Sequence, residues 1–191
     1  YNQTPIDLKG RLYGEFKTYE KLPPAFDYIR SYTDTADEGD DFLVTVVYGV
    51  YMDYIYVLDV FLSQEKQELT EEPNADMLAR NGTNLAIIES NNGGKGFARN
   101  TRRILKEKYP KSRVRIRWFH QSKNKKARIL SEAPTVIEKV IMPYNWKERW
   151  PKFKEQLFKY QKDGKNEHDD VPDVITGVVE TYRLSGTSVL K

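Results

Sequence analysis

Two neighbouring stretches of this chain carry β-branched and aromatic residues at strand density. They run from Phe42 to Tyr51 and from Tyr54 to Leu62, and the "VYMD" tetrad joins them, so they read as a hairpin. Tyr28 to Thr33 reads as a shorter strand before them, and the three together form an antiparallel meander. Polar, acidic sequence follows from Gln64 to Asn81, with a helix expected near Ala75 to Arg80. "NLAIIES" is a continuous apolar run, a buried strand ending at Glu89.

The period then becomes helical. From Phe97 to Tyr109, one face holds Phe97, Thr101, Ile104 and Leu105; another holds Arg99, Arg102, Arg103 and Lys106. Pro110 ends that helix. "RVRIRWF" alternates strictly, with Val114, Ile116 and Trp118 opposite Arg113, Arg115 and Arg117, as a half-buried strand does. A helix is expected from near Lys126 to before Pro143. Another opens at Pro151, and a last one holds Pro172 in its first turn, with Val171, Val174, Ile175, Val178, Val179 and Tyr182 as its apolar face. The order β-β-β-α-β-α-β followed by helices predicts a five-stranded mixed sheet in the α/β class, flanked by helices on both faces. Residues 1–27, with Pro5, Pro23, Pro24 and little periodicity, read as a linker packed along a single domain spanning 28–191.

Composition narrows the chemistry. The chain has 191 residues and no Cys, so disulfides and thiolate metal sites are excluded. Two His residues are too few for a His-rich metal site. No apolar run reaches the roughly 20 residues a membrane helix requires, and no secretory signal opens the chain. The first residue is Tyr rather than Met, so the sequence reads as a piece of a longer intracellular protein. Its net charge of +3 hides an uneven distribution. Between Lys95 and Leu130 stand fourteen Lys or Arg and one acid, Glu107, a local charge of +13 that leaves −10 for the rest. A basic stretch beside acidic ones suggests a polyanion partner and a separate cation site. A solvated basic face is the bland alternative.

The acids sit at telling places. Five of them, Asp34, Asp37, Glu38, Asp40 and Asp41, crowd against the start of the strand at Phe42. Asp34 ends the first strand, Glu89 ends the fourth, and Asp169, Asp170 and Asp173 lie where a polar loop enters the last helix. If strands one and four are neighbours, Asp34 and Glu89 lie side by side and that helix can add its first-turn acids. Like charges so crowded favour a bound cation, and carboxylate oxygens suit Mg²⁺ or Mn²⁺. Two such ions can activate water and stabilise a leaving oxygen in phosphodiester hydrolysis. Each acid has an ordinary alternative: Asp40 and Asp41 as turn residues, Asp170 as a helix cap. Gly177, one turn beyond Asp173, would let the helix approach the sheet closely. "GGKG" at Gly93 to Gly96 lacks the spacing of a nucleotide-binding loop, although its N–H groups could meet a DNA phosphate.

The ordered set "DTADEGDDF", "IIESNNGGKGF" and "HDDVPDVITGVV", with the opening "YNQTPIDLKGRLY" and the segment "SKNKKARI", resembles the nuclease domain of phage large terminase subunits along nearly the whole chain. The resemblance implies an RNase H-like fold related to the Holliday-junction resolvases. It implies cleavage of concatemeric double-stranded viral DNA with two Mg²⁺ or Mn²⁺ ions, in the cytoplasm of an infected or lysogenic bacterial host. It further implies an ATPase domain in the same polypeptide, joined through residues 1–27, and a small terminase subunit and a portal as partners. Carried over by residue, the catalytic metal ligands are Asp34, Glu89 and either or both of Asp170 and Asp173, with His168 and Asp169 as auxiliaries. Lys95, Arg99, Arg102, Arg103, Lys123, Lys125, Lys126 and Arg128 are the expected DNA contacts. A resolvase or RNase H relative acting on branched or hybrid substrates, and a non-catalytic DNA-binding prophage remnant, are the alternatives.

Overall fold

Met52 and Asp53, at the hairpin tip, have positive φ values of 48° and 63°. That left-handed pair matches the twist of the two strands it joins, β3 (Leu43–Tyr51) and β4 (Tyr54–Ser63). Asp53 is held in place by Lys139, Tyr182 and Arg183, which donate to its carboxylate. The computed structural model describes residues 9–35, 41–91 and 93–184. Asp37, Glu38 and Asp40 of the acidic run lie outside the described residues.

Strand β2 (Tyr28–Asp34) pairs antiparallel with β3 and parallel with β5 (Leu85–Glu89), which pairs parallel with β6 (Arg115–Phe119). The expected meander and the parallel strands are therefore present. Among the described residues, however, the sheet has seven strands, not five. Strand β1 (Lys17–Tyr19) and β7 (Val140–Pro143) extend it beyond β4, giving the order β1-β7-β4-β3-β2-β5-β6. Both are short, and their pairing rather than their own periodicity makes them strands. Strand β7 occupies the end of what the sequence pattern reads as a helix, where β-branched Val140 and Ile141 pair with Ile55 and Tyr56 of β4. Strand β1 falls within the stretch read as a linker. Tyr13 and Phe16 just before it are buried in the core, and Phe16 packs edge-on to Trp146.

Helices cover both faces. Helix α1 (Gln67–Arg80), longer than the pattern suggests, and α2 (Gly94–Lys108) bury Ala75, Leu78, Phe97 and Leu105 against Val47, Ala86 and Ile88. On the other face lie α3 (Lys125–Lys139), α4 (Trp146–Arg149), α5 (Pro151–Lys159) and α6 (Asp170–Thr181). There Ile129, Val136, Leu157, Val174 and Val178 pack on Tyr32, Val44, Val46 and Tyr48. Asn124 starts α3 by accepting a hydrogen bond from the Ala127 N–H. Helix α6 is buried on nearly every side because the sheet lies under it and α3 and α5 flank it. No helix of the described residues is long and apolar enough to cross a membrane.

Candidate metal centre

Parallel pairing of β2 with β5 decides where the first two acids go. Thr33 is the register partner of Ile88, so the next residue on each strand, Asp34 and Glu89, emerges at the same sheet edge. The third acid depends on how closely α6 approaches. A Cβ on Gly177 would fall on the ring of Tyr32, so only glycine permits this helix–sheet distance. One turn earlier, Asp173 then reaches the strand ends. Asp34, Glu89 and Asp173 each offer an oxygen, and these oxygens lie within 4.8 Å of one another. A second glycine serves the same end. A Cβ on Gly94 would collide with the carbonyl oxygen of Glu89, so the "GG" turn lets α2 begin directly behind that acid. The loops behind are tied together by Asn91, which accepts from the Gln121 N–H and donates to the Gln121 carbonyl.

The three acids open onto a cleft of about 130 Å³ that Asp41, Asp170, Lys123 and Lys125 also line. Asp170 stands apart from the triad, its Oδ2 accepting from the Phe42 N–H at 3.4 Å. His168 packs its ring edge-on to Phe42, with centroids 5.3 Å apart. Asp169 bonds the Lys125 ammonium at 3.1 Å.

Two cations from α3 reach into this cluster. Lys125 Nζ lies 3.3 Å from Asp173 Oδ2 and 3.9 Å from Asp34 Oδ2. Arg128, one turn on, donates to Asp173 Oδ1 at 2.7 Å and grips Glu180 with two nitrogens, at 2.7 to 3.2 Å. Its Nη2 approaches Glu89 to 4.0 Å. The Tyr32 hydroxyl donates a short 2.5 Å hydrogen bond to Glu89 Oε1.

Burial dominates the electrostatics of the cluster. Burial, and then the charge of Glu89, push the Asp34 carboxyl well up. Burial and Asp173 push Glu89 up, and burial raises Asp173 even against Lys125 and Arg128. Burial raises Asp170 to about 6. Burial opposes the Lys125 ammonium, but Asp173, Asp34 and Asp169 outweigh it and raise its pKa.

The predicted DNA contacts separate into two groups. Lys95, Arg99, Arg103, Lys123 and Lys126 are exposed. Arg102 is partly covered, donating to the Ile116 carbonyl and lying over the Trp118 ring. Lys125 and Arg128 differ from these other expected contacts, because both turn toward the acids. They belong to α3, and Arg128 is only 5% exposed, enclosed by Glu180, Asp173 and Glu89. The sequence reading assigns no role to Tyr32 and Glu180. Both had a positional signal: Tyr32 shares a strand face with Asp34, and Glu180 lies two helical turns beyond Asp173.

A family model described as "Terminase Bacteriophage T7, Ribonuclease H-like domain" matches residues 33–141. The chain belongs to this terminase family. The match starts beside Asp34 and ends in β7, so α6 with Asp173 lies beyond it. Solved terminase structures share the fold. A mutant nuclease domain of the large terminase subunit gp2 of bacterial virus Sf6, with manganese and beta-thujaplicinol, aligns at TM-score 0.57 and 12% identity, covering 85% of this chain and 90% of that one. The human cytomegalovirus terminase nuclease domain, manganese-soaked and inhibitor-bound, aligns at 0.55 and 14%, covering 85% and 88%. The large terminase of a thermophilic bacteriophage aligns at 0.57 and 10%, covering 92% of this chain and 45% of that longer one. No curated protein sequence matches the chain. The mixed sheet, its flanking helices and these neighbours make this terminase domain RNase H-like.

Proposed function

We propose that this terminase domain is a divalent-metal-dependent endonuclease that hydrolyses double-stranded DNA during viral DNA packaging. The observation that carries the reading is the Asp34, Glu89 and Asp173 triad, three oxygens within 4.8 Å at the ends of adjacent parallel strands and the start of a buried helix. The donor set fits Mg²⁺ or Mn²⁺: hard carboxylate oxygens and no sulfur, with burial, and at Asp34 and Glu89 a neighbouring carboxylate, raising the carboxyl pKa values. Such ions, a pair of them in this reading, supply Lewis acidity and a water of lowered pKa when bound.

The chain's own residues supply the rest. Asp34, Glu89 and Asp173 hold the ions, and Asp170 completes the shell from the cleft wall. Lys123 at the cleft attracts the phosphodiester, while Lys125 balances the charge of the acids. Lys95, Arg99, Arg103 and Lys126 hold the duplex backbone, whose phosphates carry the affinity without reading sequence. The nuclease unit takes in β1 and the buried Tyr13 and Phe16, and the stretch before them connects it to an ATPase domain of the same polypeptide. The small terminase subunit and portal are its partners, in the cytoplasm of the bacterial host. The Mn²⁺ in the Sf6 and cytomegalovirus structures supports the metal assignment.

Supercoiled plasmid tests the reading. Nicking and linearisation should require Mg²⁺ or Mn²⁺, stop with excess chelator, and disappear in Asp34→Asn and Asp173→Asn proteins that remain folded. Cleavage that persists in chelator, or in both variants, would overturn it.

A further inference from the structure

Each of two triad carboxylates has one oxygen occupied from behind by the protein. Asp173 gives Oδ1 to the buried Arg128 guanidinium at 2.7 Å, while its Oδ2 is the oxygen that Lys125 meets on the cleft side. Glu89 gives Oε1 to the Tyr32 hydroxyl, leaving Oε2. Neither anchor is loosely held. Arg128 is itself clamped by Glu180 through Nε and Nη2, and the Tyr32 ring is fully buried beneath Gly177.

We infer that Arg128, Tyr32 and Glu180 are positioning residues that restrict Asp173 and Glu89 to one-oxygen coordination and so select a small octahedral cation over Ca²⁺. The inference rests on the nuclease reading above and deepens it. Ca²⁺ takes six to eight oxygens and readily accepts both oxygens of one carboxylate. Mg²⁺ is smaller, demands near-ideal octahedral geometry and keeps several waters, and Mn²⁺ suits the same octahedral oxygen ligands. An oxygen committed to a guanidinium or a phenol is withdrawn from a second bond to the ion, which penalises the larger ion. Outer partners of this kind typically change metal affinity 10- to 100-fold when removed.

The test is calorimetric titration of the whole protein with Mn²⁺ and, separately, Ca²⁺, comparing wild type with Glu180→Gln and Tyr32→Phe. Asp173→Asn is the control that localises binding to the cleft. Glu180→Gln loosens Arg128 without removing it. Tyr32→Phe keeps the ring under Gly177, so that variant should retain the fold. Circular dichroism and a metal-free melt establish that each variant is folded. The Mn²⁺ to Ca²⁺ affinity ratio should fall about tenfold in at least one of these variants. A ratio within about twofold of wild type in both would overturn the inference while leaving the nuclease reading intact. Wild-type protein that binds neither ion, or an Asp173→Asn protein that binds both as tightly as wild type does, would overturn the nuclease reading and this inference with it.

Discussion

The backbone of Gly177 lies directly on the ring of Tyr32, and this contact sets how far Asp173 reaches toward the sheet. Gly177→Ala would drive a methyl group into a fully buried aromatic ring, with backbone on one side and core on the other. Overpacking of this kind costs about 1–3 kcal/mol. Displacement of α6 would also pull Asp173 away from Asp34 and Glu89. The expected outcome is a lower metal-free melting temperature together with weakened Mn²⁺ binding. Normal Mn²⁺ affinity in a destabilised Gly177→Ala protein would separate packing from site geometry.

The carboxyl groups predict an unusual pH dependence. Asp34, Glu89, Asp170 and Asp173 all have pKa values raised in the folded protein, chiefly by burial. The folded state therefore holds protons that the unfolded state has released. Stability of the metal-free protein should fall as pH rises from about 4, the ordinary carboxylate value, through the raised values. Asp170 alone, moving from 3.8 to about 6, contributes a loss of about 3 kcal/mol across that window. Asp53 has the opposite sign, since Arg183 and Lys139 lower its pKa, but its contribution is lost only below pH 4. Thermal melts from pH 4 to 7, without metal, should slope downward, and saturating Mn²⁺ should flatten them. Asp34→Asn with Asp173→Asn should reduce the slope; an unchanged slope would assign it elsewhere.

Lys125 compensates charge that a bound cation would also compensate. Its ammonium lies within 3.9 Å of Asp34, Asp169 and Asp173. In Lys125→Met, the carboxylates lose that partner, so metal-free stability should drop. Divalent cations should then raise the melting temperature by more than they do in wild type. An equal rise in both proteins would place the ion and Lys125 on separate oxygens.

Much of this geometry was legible in the sequence, and the reason is simple. Asp34 and Glu89 each follow an apolar run, so a strand end and an acid coincide, and parallel pairing needs no further information to align them. Strands β1 and β7 were illegible because three or four residues carry no period, and only a partner strand fixes them. The roles of Lys125 and Arg128 were hidden by their company. Both stand in a run of lysines and arginines that looks solvated, and burial of a charged side chain depends on acids brought in from α6, far along the chain.

That burial changes which cations can hold DNA. Arg128 is committed to Glu180 and Asp173, and Lys125 to the acids, so neither is available as a plain phosphate contact. The exposed Lys95, Arg99, Arg103, Lys123 and Lys126 remain, and of these the three lysines lie beside the cleft or at the starts of α2 and α3. Each phosphate contact contributes about 0.9 to the slope of log affinity against log salt on duplex DNA. Replacing these three lysines by Ala should therefore lower the slope by up to about 2.7 and weaken all duplex sequences alike. Removing Arg128 should instead leave the slope unchanged in any variant that folds, because its charge faces the protein interior. Binding titrations at several salt concentrations measure both. An unchanged slope in the triple variant would mean that this basic surface is merely solvated, and a slope lost with Arg128 would mean that its guanidinium turns outward to meet DNA.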